Sequence, residues 1–168
     1  EVEPPPRNPA GASGIRIRLG DDEVTNWGDE TKLVVAFNEQ ALLGRHRLRA
    51  LAPDATILIE NMWATHPDES IREAWAAAME ELSTENYRII EVPMEEQCLT
   101  LVDQPRRGKN MFALGLLAWL YDRDLERCKE QIAHAFRTKA PQVTERNHGL
   151  VDLGYAWASQ HLRSEEHT

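Results

Sequence analysis

The chain has 168 residues, 42% of them hydrophobic, and a formal net charge of -9. That length supports one domain with a proper core. The acidic balance excludes the basic footprint that nucleic acid or an anionic membrane surface would require. Two cysteines, Cys98 and Cys128, are too few for an iron–sulfur cluster or a Cys-only zinc site. Both sit in helical patterns and are expected to be buried, reduced core residues. No apolar run reaches the ~18 residues of a membrane span, and no signal peptide is visible, so a cytoplasmic protein is expected.

Residues 1–13, EVEPPPRNPAGAS, form a Pro-rich, polyproline-like leading segment. Gly14-Ile15-Arg16-Ile17-Arg18-Leu19 alternates strictly, which predicts a strand with one wet face near a sheet edge. Gly20-Asp21-Asp22 predicts a turn, with Glu23-Val24-Thr25 pairing back.

The organising stretch is Thr31 to Asn61. Lys32 to Phe37 and Thr56 to Ile59 are unbroken apolar runs, rich in β-branched residues. Such runs suit strands buried on both faces of a parallel sheet. Between them, Leu42, Leu43, Leu48 and Leu51 predict one apolar helix side, stopped by Ala52-Pro53-Asp54. Strand, helix and strand make a right-handed βαβ crossover. Asn38 and Asn61-Met62-Trp63 then fall at the carboxyl edge of the strands, where ligands of such sheets lie.

Pro67 suits the first turn of a helix carrying Ile71, Ala74, Trp75, Ala78, Met79 and Leu82. Tyr87 to Val92 predicts a strand halted by Pro93. Helical patterns follow at Met94 to Leu101, Asn110 to Tyr121, Leu125 to Phe136 and Val143 to Leu162. In the third, Leu125, Cys128, Ile132 and Phe136 form an apolar stripe. The expected class is α/β: a three-layer sandwich with a mostly parallel sheet and an α-helical C-terminal half. The expected division is a leading segment 1–13, a single domain 14–163 and a tail 164–168.

Neither GxGxxG nor GxxxxGK[ST] occurs, so the strand, Gly-rich turn and helix that open many doubly wound domains are missing. The basic cluster of note is Arg106-Arg107-Gly108-Lys109-Asn110, directly before a helix. Its N–H groups and positive end would favour a phosphate or carboxylate. The plainer reading is a solvated loop with Asn110 as the helix cap. Gly115, inside an otherwise apolar helix, permits close approach of another backbone. Asn147 and Tyr155 lie on roughly one face of the last helix and are expected to hold it to the core or to a partner, with a hydrogen bond to the Tyr155 hydroxyl. No histidine pair has metal-ligand spacing; His134 is expected to be solvated and His148 to sit at a loop or helix start. Glu95 and Glu96 are adjacent and do not form an acid/base pair. No constellation makes a catalytic site or a metal site.

Four stretches, in order, resemble the gamma domain of 2-oxoacid:ferredoxin oxidoreductases, the pyruvate and 2-oxoglutarate synthase family. They are Glu3-Pro4-Pro5-Pro6-Arg7 through Gly11 to Arg18, which is similar to the Pro-rich approach and "iRi" strand of 2-oxoglutarate-type members; Leu33 to Leu42, similar to "vDllvAlNeeal"; Gly108-Lys109-Asn110-Met111 with Ala113-Leu114-Gly115, similar to "R..Nm.alGal"; and Lys139, Val143, Glu145, Asn147, Gly154 and Tyr155, similar to "K...v.e.N..a...Gy". Thr31 and Lys32 stand where the family often has Asp. The resemblance covers nearly the whole chain, apart from the family's opening strand and Gly-rich turn, and so implies a truncated or separately expressed piece.

The resemblance implies a non-catalytic gamma domain that packs with thiamine-binding domains or subunits. The assembled enzyme would oxidatively decarboxylate a 2-oxoacid to an acyl-CoA, using thiamine diphosphate, iron–sulfur clusters and coenzyme A, with ferredoxin as an indirect partner. This chain alone would hold none of those cofactors and show no activity. Its candidate coenzyme A or interface contacts are Asn38, Arg106, Arg107, Lys109 and Asn110. The competing readings are a stand-alone α/β module for a nucleotide or acyl-CoA, and a purely structural interaction domain.

Overall fold

The computed structural model describes residues 14–19, 25, 28, 30–104 and 107–162. Expectations for the leading segment 1–13, the turn at 20–22, Arg106 and the tail 164–168 lie outside the described residues. The expected domain divides into two compact units, Glu1–Val92 and Pro93–Thr168.

The first unit holds β1 (Thr31–Ala36), α1 (Glu39–Arg47), β2 (Leu51–Glu60), a short 3-10 turn (Met62–Thr65), α2 (Glu69–Ser83) and β3 (Arg88–Val92). Its sheet is parallel throughout, in the order β1-β2-β3. Val35 pairs with Leu58, and Leu58 with Ile90. The α/β class and parallel crossover are as the apolar runs indicated. In the central strand Ile57, Leu58, Ile59 and Glu60 are all fully buried, which is the both-face burial that removes any apolar–polar alternation. Leu42 of α1 and Trp75 and Leu82 of α2 form one cluster with Ala36, Ile57 and Ile59, so both helices cover the same sheet face. Across their far ends Arg47 donates twice to Glu81, at 2.9 and 2.7 Å. His46 Nδ1 and the Tyr87 hydroxyl lie 3.1 Å apart.

Several boundaries differ from expectation. Pro53 does not stop α1; it lies inside β2, at the irregularity where Thr31 pairs with Leu51 but Leu33 already pairs with Thr56. A bulge tolerates a residue with no N–H. What ends α1 is a left-handed Arg49, φ 51°. The Ala50 N–H donates to Arg45 O at 3.0 Å and the Arg49 N–H to His46 O at 2.9 Å, the paired bonds of a Schellman motif. Leu48 is therefore exposed and Leu51 belongs to the strand. Pro67 precedes α2 instead of entering its first turn, because Asp68 occupies the cap and accepts from Ser70 N at 2.9 Å.

The strand expected at Gly14–Leu19 does not form. Those residues carry no ladder, and Ile15 and Ile17 are 71% and 70% exposed. Alternation permits a strand, but a strand exists only with a partner edge. Arg16 instead donates to Gly28 O at 3.3 Å.

The second unit is helical: α3 (Met94–Cys98), α4 (Lys109–Leu120), α5 (Leu125–Ala135) and α6 (Pro141–His161). Pro141 enters the first turn of α6, where its missing N–H costs nothing. α3 is shorter than expected because Leu101 and Val102 both turn back onto Cys98 O, which leaves Leu99 and Leu101 exposed. α4 ends in a second glycine-free Schellman turn at Asp122, φ 47°, with Arg123 N donating to Ala118 O at 2.7 Å. Phe112 and Leu116 of α4 and Leu150 and Val151 of α6 are fully buried.

Cys98 is buried as expected, but Cys128 is only half-buried, because the α5 stripe is deeply covered only at Ile132. His134 is exposed as expected. His148 is not at a helix start; it lies within α6, where its Nε2 donates to Lys129 O at 3.0 Å.

Candidate functional site

The turn before α4 is built on Gly108. Its φ of 93° lies in the left-handed region, and a β-carbon there would meet Leu150 Cδ1 of α6 at 2.7 Å. Only glycine satisfies both conditions. The expected cap residue, Asn110, is not the cap: Gly108 occupies that position and Asn110 sits within the first turn of α4. Pinning Gly108 against Leu150 brings this turn beside α6.

The two segments enclose a groove of about 380 Å³. Arg107 and Asn110 reach it from the turn, and Arg146 and Asn147 from α6. Met111, Phe136, Val143 and Leu150 supply apolar lining. Val143, Arg146, Asn147 and Leu150 share one face of α6 by their spacing. Among the described residues, none of the four polar side chains has a hydrogen-bond or ion-pair partner. Two guanidinium groups and two amides thus line one open concavity, a donor set suited to an anion with an organic body.

Lys109 points its charge elsewhere. Its Nζ lies 2.8 Å from Glu95 Oε2 of α3, and the two side chains are only 12% and 16% exposed. Arg106 lies outside the described residues. Asn38 belongs to the first unit, where its Oδ1 caps α1 by accepting from Ala41 N at 3.1 Å. Arg107 and Asn110, of the candidates named from sequence, are therefore brought to the groove. Arg146 was missed as a site residue, and Asn147 was read as a packing residue. The available signal was a charge and an amide interrupting the apolar Val143–Leu150 face.

At the carboxyl edge of the sheet, side chains bond to one another and to the backbone. Trp63 Nε1 donates to Phe37 O at 2.8 Å, and Trp63 stacks on His66 at 5.9 Å. His66 Nδ1 accepts from Asp68 N at 3.1 Å, and Arg72 donates to His66 O at 2.7 Å. On α6, Tyr155 is half-buried and its hydroxyl makes no hydrogen bond among the described residues, unlike the bond expected for it. Its backbone is the packing element, since a β-carbon on Gly115 would sit 2.7 Å from Tyr155 N.

Comparison with known families decides the assignment: residues 5–157 match pyruvate ferredoxin/flavodoxin oxidoreductase. The chain belongs to the pyruvate ferredoxin/flavodoxin oxidoreductase family. Among its oxidoreductase relatives is the 2-oxoglutarate oxidoreductase subunit KorA of Mycobacterium tuberculosis, 27% identical over an alignment of 164 residues that covers 94% of this chain and 24% of that protein. A solved 2-oxoglutarate:ferredoxin oxidoreductase from Magnetococcus marinus, with 2-oxoglutarate, coenzyme A and succinyl-CoA bound, has the same fold. It superposes with a TM-score of 0.63 at 21% identity, over 85% of this chain and 22% of that one. The chain thus spans about a quarter of the length of the oxidoreductase chains it matches.

Proposed function

We propose that this chain is the gamma portion of a 2-oxoacid:ferredoxin oxidoreductase of the 2-oxoglutarate type. The observation that carries the reading is the family match across residues 5–157. Both relatives are 2-oxoglutarate oxidoreductases or subunits of one, and that supplies the substrate. In this reading the chain performs no bond-making step. It packs with thiamine-binding chains, which hold the thiamine diphosphate and iron–sulfur clusters, and ferredoxin receives the electrons. Two cysteines on separate helices do not supply the thiolates of a cluster.

Coenzyme A is the substrate this chain is best equipped to meet. Arg107 and Asn110 are its candidate contacts, with Arg106 beside them in sequence. Lys109 supports them by holding α3 to α4, and Asn38 serves by shaping the start of α1.

The test is reconstitution with the thiamine-binding partner chains. Reduction of a one-electron acceptor should require 2-oxoglutarate, coenzyme A and this chain together, and this chain alone should be inactive. Full activity without it, or turnover by it alone, would reject the proposal.

A further inference from the structure

The turn that ends α1 carries two oddities side by side. Leu48 is 71% exposed, as much as any large apolar side chain among the described residues. Arg49 beside it is held at a φ of 51°, a conformation that glycine adopts without strain and arginine does not. A single exposed leucine is ordinary, and the helix dipole accounts for Arg45 and Arg47 in the last turn. Neither consideration explains an arginine kept where glycine is the easier residue. The surrounding stretch, residues 44–50, is GRHRLRA: three arginines and no carboxylate, in a chain of net charge -9.

The turn is also rigid. Arg47 donates twice to Glu81 of α2, and the His46 ring meets Tyr87 edge-on with centroids 5.7 Å apart. The paired backbone bonds to Arg45 O and His46 O close the helix end. Glu81 thereby offsets the charge of Arg47. Arg49 is exposed, and its guanidinium makes no ion pair among the described residues. An apolar side chain between two arginines, on a turn fixed from beneath, has the composition of an interface anchor. Little order is lost when it docks.

Because the sheet is parallel, this turn lies at the end opposite the carboxyl edge of the strands. Most of the length of both relatives lies outside the part this chain matches, so in the gamma-portion reading further protein must pack on this chain. We infer that the Arg47–Leu48–Arg49 turn docks on an acidic surface of a thiamine-binding partner chain. Leu48 enters an apolar pocket there, and Arg49 pairs with a carboxylate at its rim. The inference rests on the gamma-portion reading and adds to it the face that docks and the charge of what it meets.

Association of the full chain with those partner chains, measured by biolayer interferometry across a salt series, tests it. Leu48→Glu should weaken association about tenfold or more, as loss of a central anchor does. Arg49→Gly should weaken it about threefold or more and flatten its salt dependence, while raising the unfolding midpoint. Opposite signs on binding and stability separate an interface residue from a structural one. Arg127→Ala, on exposed α5 surface, should change neither. Hydroxyl-radical footprinting should show the Leu48 side chain protected in the wild-type complex. Circular dichroism confirms that each variant is folded.

A complex that oxidises 2-oxoglutarate but is indifferent to both substitutions would overturn the inference and keep the gamma reading. So would a Leu48 side chain as reactive in the complex as in the free chain. Failure of the folded wild-type chain to associate at any salt concentration would reject both. Arg49-dependent binding to a short DNA duplex, in place of the partner chains, would make the turn a nucleic-acid contact and overturn the inference.

Discussion

Gly115 of α4 and Gly154 of α6 meet backbone to backbone. A β-carbon on Gly115 would lie 3.0 Å from Gly154 Cα, and one on Gly154 would lie 3.2 Å from Gly115 Cα and 2.8 Å from the Phe112 carbonyl carbon. The obstacle on each side is main chain, which cannot swing away as a side-chain tip can. Gly115→Ala and Gly154→Ala should each destabilise the chain by about 3 kcal/mol or more, the upper range for overpacking. Gly44 is the control. It lies within α1 with nothing near its missing β-carbon, so Gly44→Ala should stabilise by about 0.5–1 kcal/mol. Urea unfolding of the three variants reads both signs.

The helix stop at Arg49 gives a second test. An L-residue in the left-handed region costs about 1–2 kcal/mol, and glycine avoids most of that. Arg49→Gly should raise stability by about 1 kcal/mol, with the Schellman bonds at Arg45 O and His46 O retained. A lower unfolding midpoint would show that the Arg49 side chain makes a contact outweighing the strain.

Acid should loosen the first unit at identified places. The Arg47 guanidinium, bonded to both oxygens of Glu81, holds that carboxyl below its usual value of 4.5. Hydrogen bonds from the Ser70 hydroxyl and backbone hold Asp68 below 3.8. A carboxyl depressed in the folded state contributes stability above its unfolded pKa and loses it as pH falls through the folded value. Stability should therefore decline below about pH 4.5. Glu81→Gln should flatten that decline, and Asp68→Asn should remove its own share while still capping α2. Thermal melts from pH 7 down to pH 2 measure the slopes. An acid limb identical in all three proteins would refute the assignment.

The Lys109–Glu95 pair separates support from binding. Because both side chains are largely buried, Lys109→Met should take from the Glu95 carboxylate the ammonium 2.8 Å away and cost about 3 kcal/mol, the low end for a broken buried pair. Adding Glu95→Gln should recover much of the loss. A double-mutant cycle in urea measures the coupling, and a coupling near zero would show that this pair does not hold α3 to α4.

Local pattern made the strand–helix–strand crossover, the third strand and the four later helices legible, because apolar periodicity and breakers such as Pro93 act over a few positions. Tertiary structure decided what those elements meet. A hydrophobic run records that a side will be buried, not against which neighbour. The close approach allowed by Gly115 could be read from its helix, but its partner Gly154 is specified only by the crossing. Gly14–Leu19 shows the converse: its alternation is real, yet among the described residues no edge pairs with it. Arg107 and Arg146 share a groove because Gly108 admits Leu150, a contact between residues far apart in the chain, and a periodicity argument contains no term for such a contact.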